Sequence, residues 1–212
     1  SCYSKTICNG CAYANQVREM NEKLDHQCPF CRHPVPKSQE EWDRNLMKRV
    51  EANDPAAIRH MGGKRCGEGD YKGAFEYWTE AAGLGDVGAH FNLSVVCGNG
   101  LGVEKDKKRE VYHLEEAAIG GHPFARHNLG VMESENGRPD RAVKHFIIAA
   151  KLGDDYSLLS FRRAYAEGLV SKEDFASALR AHQAALDAMK SPQREKAEVA
   201  LSQLREAAEK DK

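Results

Sequence analysis

The chain repeats itself. From Asp54 the segment DPAAIRHMGGKRCGEGDYKGAFEYWTEAAGLG is followed by DVGAHFNLSVVCGNGLGVEKDKKREVYHLEEAAIGG from Asp86 and HPFARHNLGVMESENGRPDRAVKHFIIAAKLG from His122, units of 32 to 36 residues. A unit of that size cannot bury an apolar face alone, so it must stack on its neighbours, and the stacking dictates the whole architecture. Superposition aligns Ala57, Ala89 and Ala125, then Met61, Leu93 and Leu129 four residues on, a spacing that places both positions on one helix face. In the second half Trp78, Leu114 and Phe146 coincide, followed by Ala81-Ala82, Ala117-Ala118 and Ala149-Ala150, then Gly85, Gly121 and Gly153. Large apolar residues fill the core, alanines admit close helix approach, and glycine ends the helix in a left-handed residue.

Length varies only in the turn between the two helices of a unit: GEGD, GNGLGVEKD and ENGRPD. A fourth unit from Asp154 is degenerate. Ser157, Phe161 and Tyr165 fit its first helix and Ala184-Ala185 its second, but the turn EGLVSKED and the missing terminal glycine depart from the pattern. Ser191-Pro192 then offers a helix start whose Ala197, Leu201, Leu204 and Ala208 form a narrow apolar stripe. Upstream, Ser38 and Glu41 predict a capping box for a helix of about 39–52, with Trp42, Leu46 and Val50 on one face.

These residues resemble the Sel-1-like repeat family over about residues 54–155, with the A-x3-L signature, a turn containing Gly100, Gly102, Val103 and Asp106, and the closing A-A-x2-G. Cys97 stands where that family has Tyr, and the shorter turns of the first and third units are more like those of tetratricopeptide repeats. The resemblance implies an all-α fold, a right-handed α-solenoid of helix-turn-helix repeats whose concave face binds proteins or peptides. The candidate groove residues are those on the first helices off the core face: Arg59, His60, His90, Asn92, Arg126 and Asn128.

The other end differs in composition. Five of the seven cysteines lie in the first 31 residues, and Cys8-x2-Cys11 and Cys28-x2-Cys31 are spaced as two halves of a four-cysteine zinc site. The strings ICNGC and CPFCRHPVP look like the middle and last ligand pairs of a RING finger, with Cys2 as a further ligand. Tyr3-Ser4-Lys5 stand where such fingers commonly carry a Cys-Gly-His-like run, and no upstream pair is present. Two arrangements stay open. Cys8 and Cys11 bind one zinc with residues upstream of Ser1 while Cys2, Cys28 and Cys31 bind another, or Cys8, Cys11, Cys28 and Cys31 close around a single ion. His26 and His33 are alternative ligands, with exposed loop positions the default. The RING resemblance implies ubiquitin-ligase activity, with Arg32 at the position that contacts the conjugating enzyme and ubiquitin and the repeats selecting substrates.

The expected organisation is a partial RING-type zinc finger at 1–37, a repeat array with an N-terminal half-repeat helix at 38–190, and a C-terminal capping helix at 191–212. Acidic and basic residues nearly cancel, with 31 Lys and Arg against 32 Asp and Glu, which argues against nucleic acid or an anionic membrane as partner. With neither a leader nor an apolar span, the reading is a cytoplasmic or nuclear protein. Gly98, Gly100 and Gly102 follow no strand and read as an inter-helix turn rather than a phosphate loop. Cys66 and Cys97 read as small core hydrophobes. A metal-dependent hydrolase is disfavoured because four thiolates saturate zinc. The reading is therefore a non-catalytic interaction scaffold with a zinc-binding head, and the ligase is its alternative.

Overall fold

The computed structural model describes residues 9–28 and 34–210. Eleven helices run through them: α1 (Asn9–Glu22), α2 (Gln39–Glu51), α3 (Pro55–Gly67), α4 (Tyr71–Gly83), α5 (Val87–Asn99), α6 (Lys107–Ile119), α7 (Pro123–Glu135), α8 (Pro139–Lys151), α9 (Asp155–Ala166), α10 (Lys172–Met189) and α11 (Pro192–Lys210). Among the described residues there is no strand; Gln27 and Pro34 form an isolated antiparallel bridge.

The chain divides into two compact units, an array of residues 50–188 and a head made of the residues up to Arg49 together with those from Met189 onward. This division differs from the expected boundaries. The helix at 191–212 does not stand apart as a cap, because α11 belongs to the head and packs along α1. Most of α2, expected as a half-repeat of the array, also belongs to the head, and Val50 near its end is the residue that reaches the array's core.

Within the array each repeat is a tight helix pair, α3 with α4, α5 with α6 and α7 with α8. The aligned positions are the buried ones: Ala57, Ala89 and Ala125 are fully buried, and Met61, Leu93, Leu129, Trp78, Leu114 and Phe146 are buried beside them. Each such large side chain contributes about 1.5–3 kcal/mol of transfer free energy. The facing position scales inversely with its partner. A Cβ on Gly62 would stand 2.5 Å from the Trp78 ring and one on Gly130 2.6 Å from the Phe146 ring, whereas the smaller Leu114 belongs to the repeat that carries Ser94 at this position.

The repeat boundary is built from backbone. Gly85, Gly121 and Gly153 all have φ between 85° and 88°. Each turns the chain so that the next residue's N–H reaches the carbonyl of the first alanine of the pair: Asp86 to Ala81 (3.0 Å), His122 to Ala117 (3.0 Å) and Asp154 to Ala149 (3.1 Å). Gly100 and Gly102 stand in the longer second turn, as expected, and both are left-handed there; Asp106 N–H bonds to the carbonyl of Cys97 at 3.0 Å. Cys97 is fully buried, and Cys66 packs against the first repeat's core.

The fourth unit follows the pattern in α9, where Ser157 and Phe161 are fully buried, but not in α10. Of the expected Ala184-Ala185 pair, Ala184 is exposed and Ala185 half-buried; Ala178 and His182 are the buried residues. His182 is held by the Ala150 carbonyl at 2.8 Å and Asp155 at 3.1 Å, so a polar clamp replaces the alanine contact. No described helix is long and apolar enough to cross a membrane.

Candidate functional site

The helix surface of the array sorts into three register positions, each carrying different chemistry in successive repeats. The first lies two residues after the buried alanine: Arg59, Phe91 and His127. Each meets the residue that starts the next repeat. Arg59 Nε lies 2.9 Å from Asp86 Oδ1, the Phe91 ring stacks on His122 at 4.3 Å, and His127 Nδ1 lies 3.5 Å from Asp154 Oδ2 and 2.8 Å from Ser157 Oγ. Those partners are also helix N-caps: Asp86 Oδ1 accepts from Ala89 N–H (2.7 Å), His122 Nδ1 from Ala125 N–H (3.4 Å) and Asp154 Oδ2 from Ser157 N–H (2.7 Å). An accepting Nδ1 must be unprotonated, and burial first, then the Arg59 charge, push the His122 pKa down. Arg59, expected in a binding groove, is thus half-buried in an inter-repeat clasp.

The second position pairs the residue after the buried alanine with one on the second helix: Ile58 with Tyr77, His90 with His113, Arg126 with His145. Ile58 and Tyr77 belong to the first repeat's apolar cluster. The two Nδ1 atoms of His90 and His113 approach to 3.1 Å, with Tyr112 edge-on to both rings. Burial, followed by the charges of His90 and Arg109, pushes the His113 pKa down to about 4. In the third repeat burial and then Arg126 push His145 in the same direction. The stripe therefore runs from apolar through imidazole to cationic.

The third position holds His60, Asn92 and Asn128. His60 is exposed, while Asn92 and Asn128 are half-buried. Asn128 lines a recess between α5 and α6 with Ser94, Gly98, Lys105 and Glu110; Arg126 lines a separate recess with residues of α6 and α8. The six expected groove residues thus occupy three register positions with different neighbours.

In the head, α1 carries buried Asn15 and Glu19. Glu19 Oε1 accepts from Asn15 Nδ2 (2.7 Å) and Gln27 N–H (2.8 Å), and its Oε2 lies 2.6 Å from His26 Nδ1. Asn15 Nδ2 also donates to the Gln27 carbonyl at 3.2 Å. The bond to His26, then that to Gln27, hold the Glu19 carboxyl below its usual range. This network fixes the segment ahead of Cys28, which is buried, while Cys11 is exposed on α1. Among the described residues no three His, Cys, Asp or Glu side chains converge to hold a metal, and His26 is engaged by Glu19. Cys2, Cys8, Cys31, His33 and Arg32 lie outside the described residues.

Sequence reading missed the clasp and Glu19. The clasp had a signal, since aligning the repeats puts Arg59 in register with Phe91 and His127, and Asp86 with His122 and Asp154. No such register announces Glu19, a lone carboxylate in a non-repeating helix.

Three consecutive segments, 55–86, 87–122 and 123–154, match the Sel1 repeat. The chain is 24% identical to mouse (Mus musculus) DAP3-binding cell death enhancer 1 over 197 residues, covering 74% of this chain and 39% of that protein. The rat (Rattus norvegicus) counterpart is 23% identical, with 68% and 36% covered. The chain thus spans well under half the length of these relatives. Among solved structures, a Sel1 repeat protein from Oxalobacter formigenes superimposes with a TM-score of 0.51 at 24% identity, covering 57% of this chain and 96% of that one. A protective antigen of uropathogenic Escherichia coli strains with an SLR fold gives 0.54 at 22% identity, covering 80% and 37%.

Proposed function

We propose, starting from residues 55–154 as an array of three Sel1 repeats, that this protein is an interaction scaffold whose repeat surface binds another protein. The observation that carries this reading is internal to the chain. Across three copies the buried positions keep their character, Ala at one and large apolar at the others, while the pairs Ile58/Tyr77, His90/His113 and Arg126/His145 change from apolar to imidazole to cationic. The changing pair is core in the first repeat, where Ile58 is fully buried, and half-buried in the second and third, so the array offers a partner two marks of different chemistry on a constant interior, which suits an extended partner read at more than one point.

DAP3 is the first purified partner to try, since the mouse and rat relatives are named for binding it. Binding of DAP3, or of a partner captured from extract and then purified, is measured by calorimetry with the full chain. The double substitution His90→Ala and Arg126→Ala is expected to weaken it about tenfold or more, as loss of interface anchors does. Affinity unchanged in that variant and in substitutions at Asn92 and Asn128 overturns the assignment to the repeat surface.

For the head, the reading is a structural zinc bound by thiolates drawn from Cys2, Cys8, Cys11, Cys28 and Cys31. It is supported by the C-x2-C spacings and by the closure of the segment after Cys28, where the Gln27–Pro34 bridge and the Val35 N–H to His26 carbonyl bond (2.9 Å) bring the segment's ends together. Bound zinc would serve as a cross-link and supply no chemistry of its own. Elemental analysis of the full chain and of Cys28→Ser tests it: stoichiometric zinc that falls in the variant is the expected result, and no zinc in either overturns it.

A further inference from the structure

One recess on the array gathers three guanidiniums. It occupies about 330 Å³ between α6, α7 and α8, floored by Leu129 and Met132 and rimmed by Glu115, Arg126, Glu133, Arg138, Arg141 and His145. Glu133 accepts from Arg138 Nε at 2.5 Å and lies 3.6 Å from Arg141 Nε, so one carboxylate is shared between two guanidiniums. The bond from Arg138 holds the Glu133 carboxyl below its usual range, which keeps it ionised. Arg126 has no such partner. Its Nε and the Nδ1 of His145 are shielded from solvent and bond to nothing among the described residues. A half-dehydrated guanidinium without a counter-ion is a costly arrangement, and it becomes favourable when an anion supplies the missing charge.

The sign and size of that anion follow from the inventory. Three guanidiniums against the carboxylates of Glu115 and Glu133 leave one net positive charge, with His145 neutral. A single negative charge balances the recess, whereas a dianionic phosphate would overshoot and face two carboxylates. The apolar floor suits the methylenes of a side chain that brings a carboxylate with it. The equivalent position in the preceding repeat is His90, and in the first it is Ile58, so the cationic form is confined to the third repeat.

We propose that this recess is a carboxylate-binding site, occupied by one acidic side chain or the C-terminus of a bound peptide, with Arg126 as its principal cation. Arg126 offers the carboxylate a planar pair of N–H donors, the geometry in which such pairs are strongest. Entry of the carboxylate also favours the imidazolium form of His145, which then adds a second charge-assisted donor. The groups that act on His145 are Arg126 and Glu133 of α7, Arg141 of α8 and Glu115 of α6, and occupancy tips their balance toward protonation. The proposal rests on the scaffold reading only for the origin of the carboxylate.

The test uses acetate alone on the full chain, followed by the side-chain NMR signals of Arg126 Nε–H and the His145 ring. Acetate is expected to shift both saturably and to raise the His145 pKa, and Arg126→Gln is expected to weaken it about tenfold or more, the effect of one lost charge-assisted hydrogen bond. Arg126→Lys, which keeps the charge but not the planar pair, is expected to fall between, and His90→Gln in the preceding repeat to change nothing. Thermal melts confirm that each variant is folded. Three results overturn the proposal: no saturable shift, acetate affinity unchanged in folded Arg126→Gln, or inorganic phosphate binding more tightly than acetate. Any of them leaves the scaffold reading standing, because that reading is tested by partner binding at the whole repeat surface.

Discussion

The array and the head are both helical, yet they are held by different forces. The array stacks equivalent apolar residues, and its three clusters follow one another along the chain, centred on Leu93, Leu114 and Phe161. The head packs α1 along α11 and fastens the end of α1 to His26 and Gln27 through a buried carboxylate and its donors. A repeated apolar core tolerates local change because each unit leans on the next. A single polar hub concentrates order at one atom pair, which can be lost all at once.

The largest effect that separates the two is expected from Leu93→Ala. Leu93 is fully buried in the array, and the truncation should cost about 2–5 kcal/mol. Hydrogen exchange should show it as lost protection in α3 to α6 with the α1 amides unchanged; equal loss in both units would break the comparison. Gly102→Ala comes next. Gly102 has φ +69°, and a Cβ there would stand 2.6 Å from the Tyr71 backbone, so a cost of about 1–3 kcal/mol is expected. Gly137→Ala has the same left-handed φ but open space, so the difference between the two melting curves isolates the packing contribution. Asp86→Ala removes a helix cap worth about 0.5–2 kcal/mol and also the Arg59 ion pair, which urea denaturation should report as one shift in midpoint.

Acid should then separate the units by pH. His113, with a pKa of about 4 in the fold, remains neutral there while the unfolded chain takes up a proton near pH 6.5. Its contribution is complete above that value and is lost as the pH falls toward 4; His122 and His145 are shifted in the same direction. Glu19 has the opposite dependence on charge. Its carboxylate is stabilised by folding, so its contribution is complete above the ordinary carboxylate pKa and is lost only as the pH falls through that value toward the lowered folded one. Circular dichroism and exchange during acid titration should therefore show the array softening before the head. The smallest global effect is expected for Glu19→Gln, which keeps the shape but removes the charge: faster exchange at Gln27 N–H, with the array's melting unchanged.

The array was legible because repetition supplies its own comparison. Ala57, Met61, Trp78 and Gly85 could each be checked against two other copies, and the core and boundary positions followed. Legibility failed where the copies diverge. In α10 the Ala184-Ala185 pair suggested a buried contact, but with no closing glycine to fix the register the buried face passes through Ala178 and His182 instead. The groove residues were expected as the first-helix positions off the core face, and neighbouring positions on one helix point to different partners: Arg59 to the next repeat, Arg126 to α6 and α8, Asn128 to α5 and α6. The cysteine spacing marked a metal-binding expectation in the head, but it carried no hint that Glu19 and Asn15 organise the segment ahead of Cys28.

The clasps have one consequence for how such a chain can change over time. Each joint between repeats has its own lock and key, Arg59 with Asp86, Phe91 with His122, and His127 with Asp154. Exchange the second and third repeats, and Arg59 would meet a histidine, His127 a second aspartate in place of its own, and Phe91 a carboxylate. Because the other two joints both close on aspartate, the order is written into the Phe91–His122 joint, so separating the second repeat from the third carries a penalty until the matching residue changes with it.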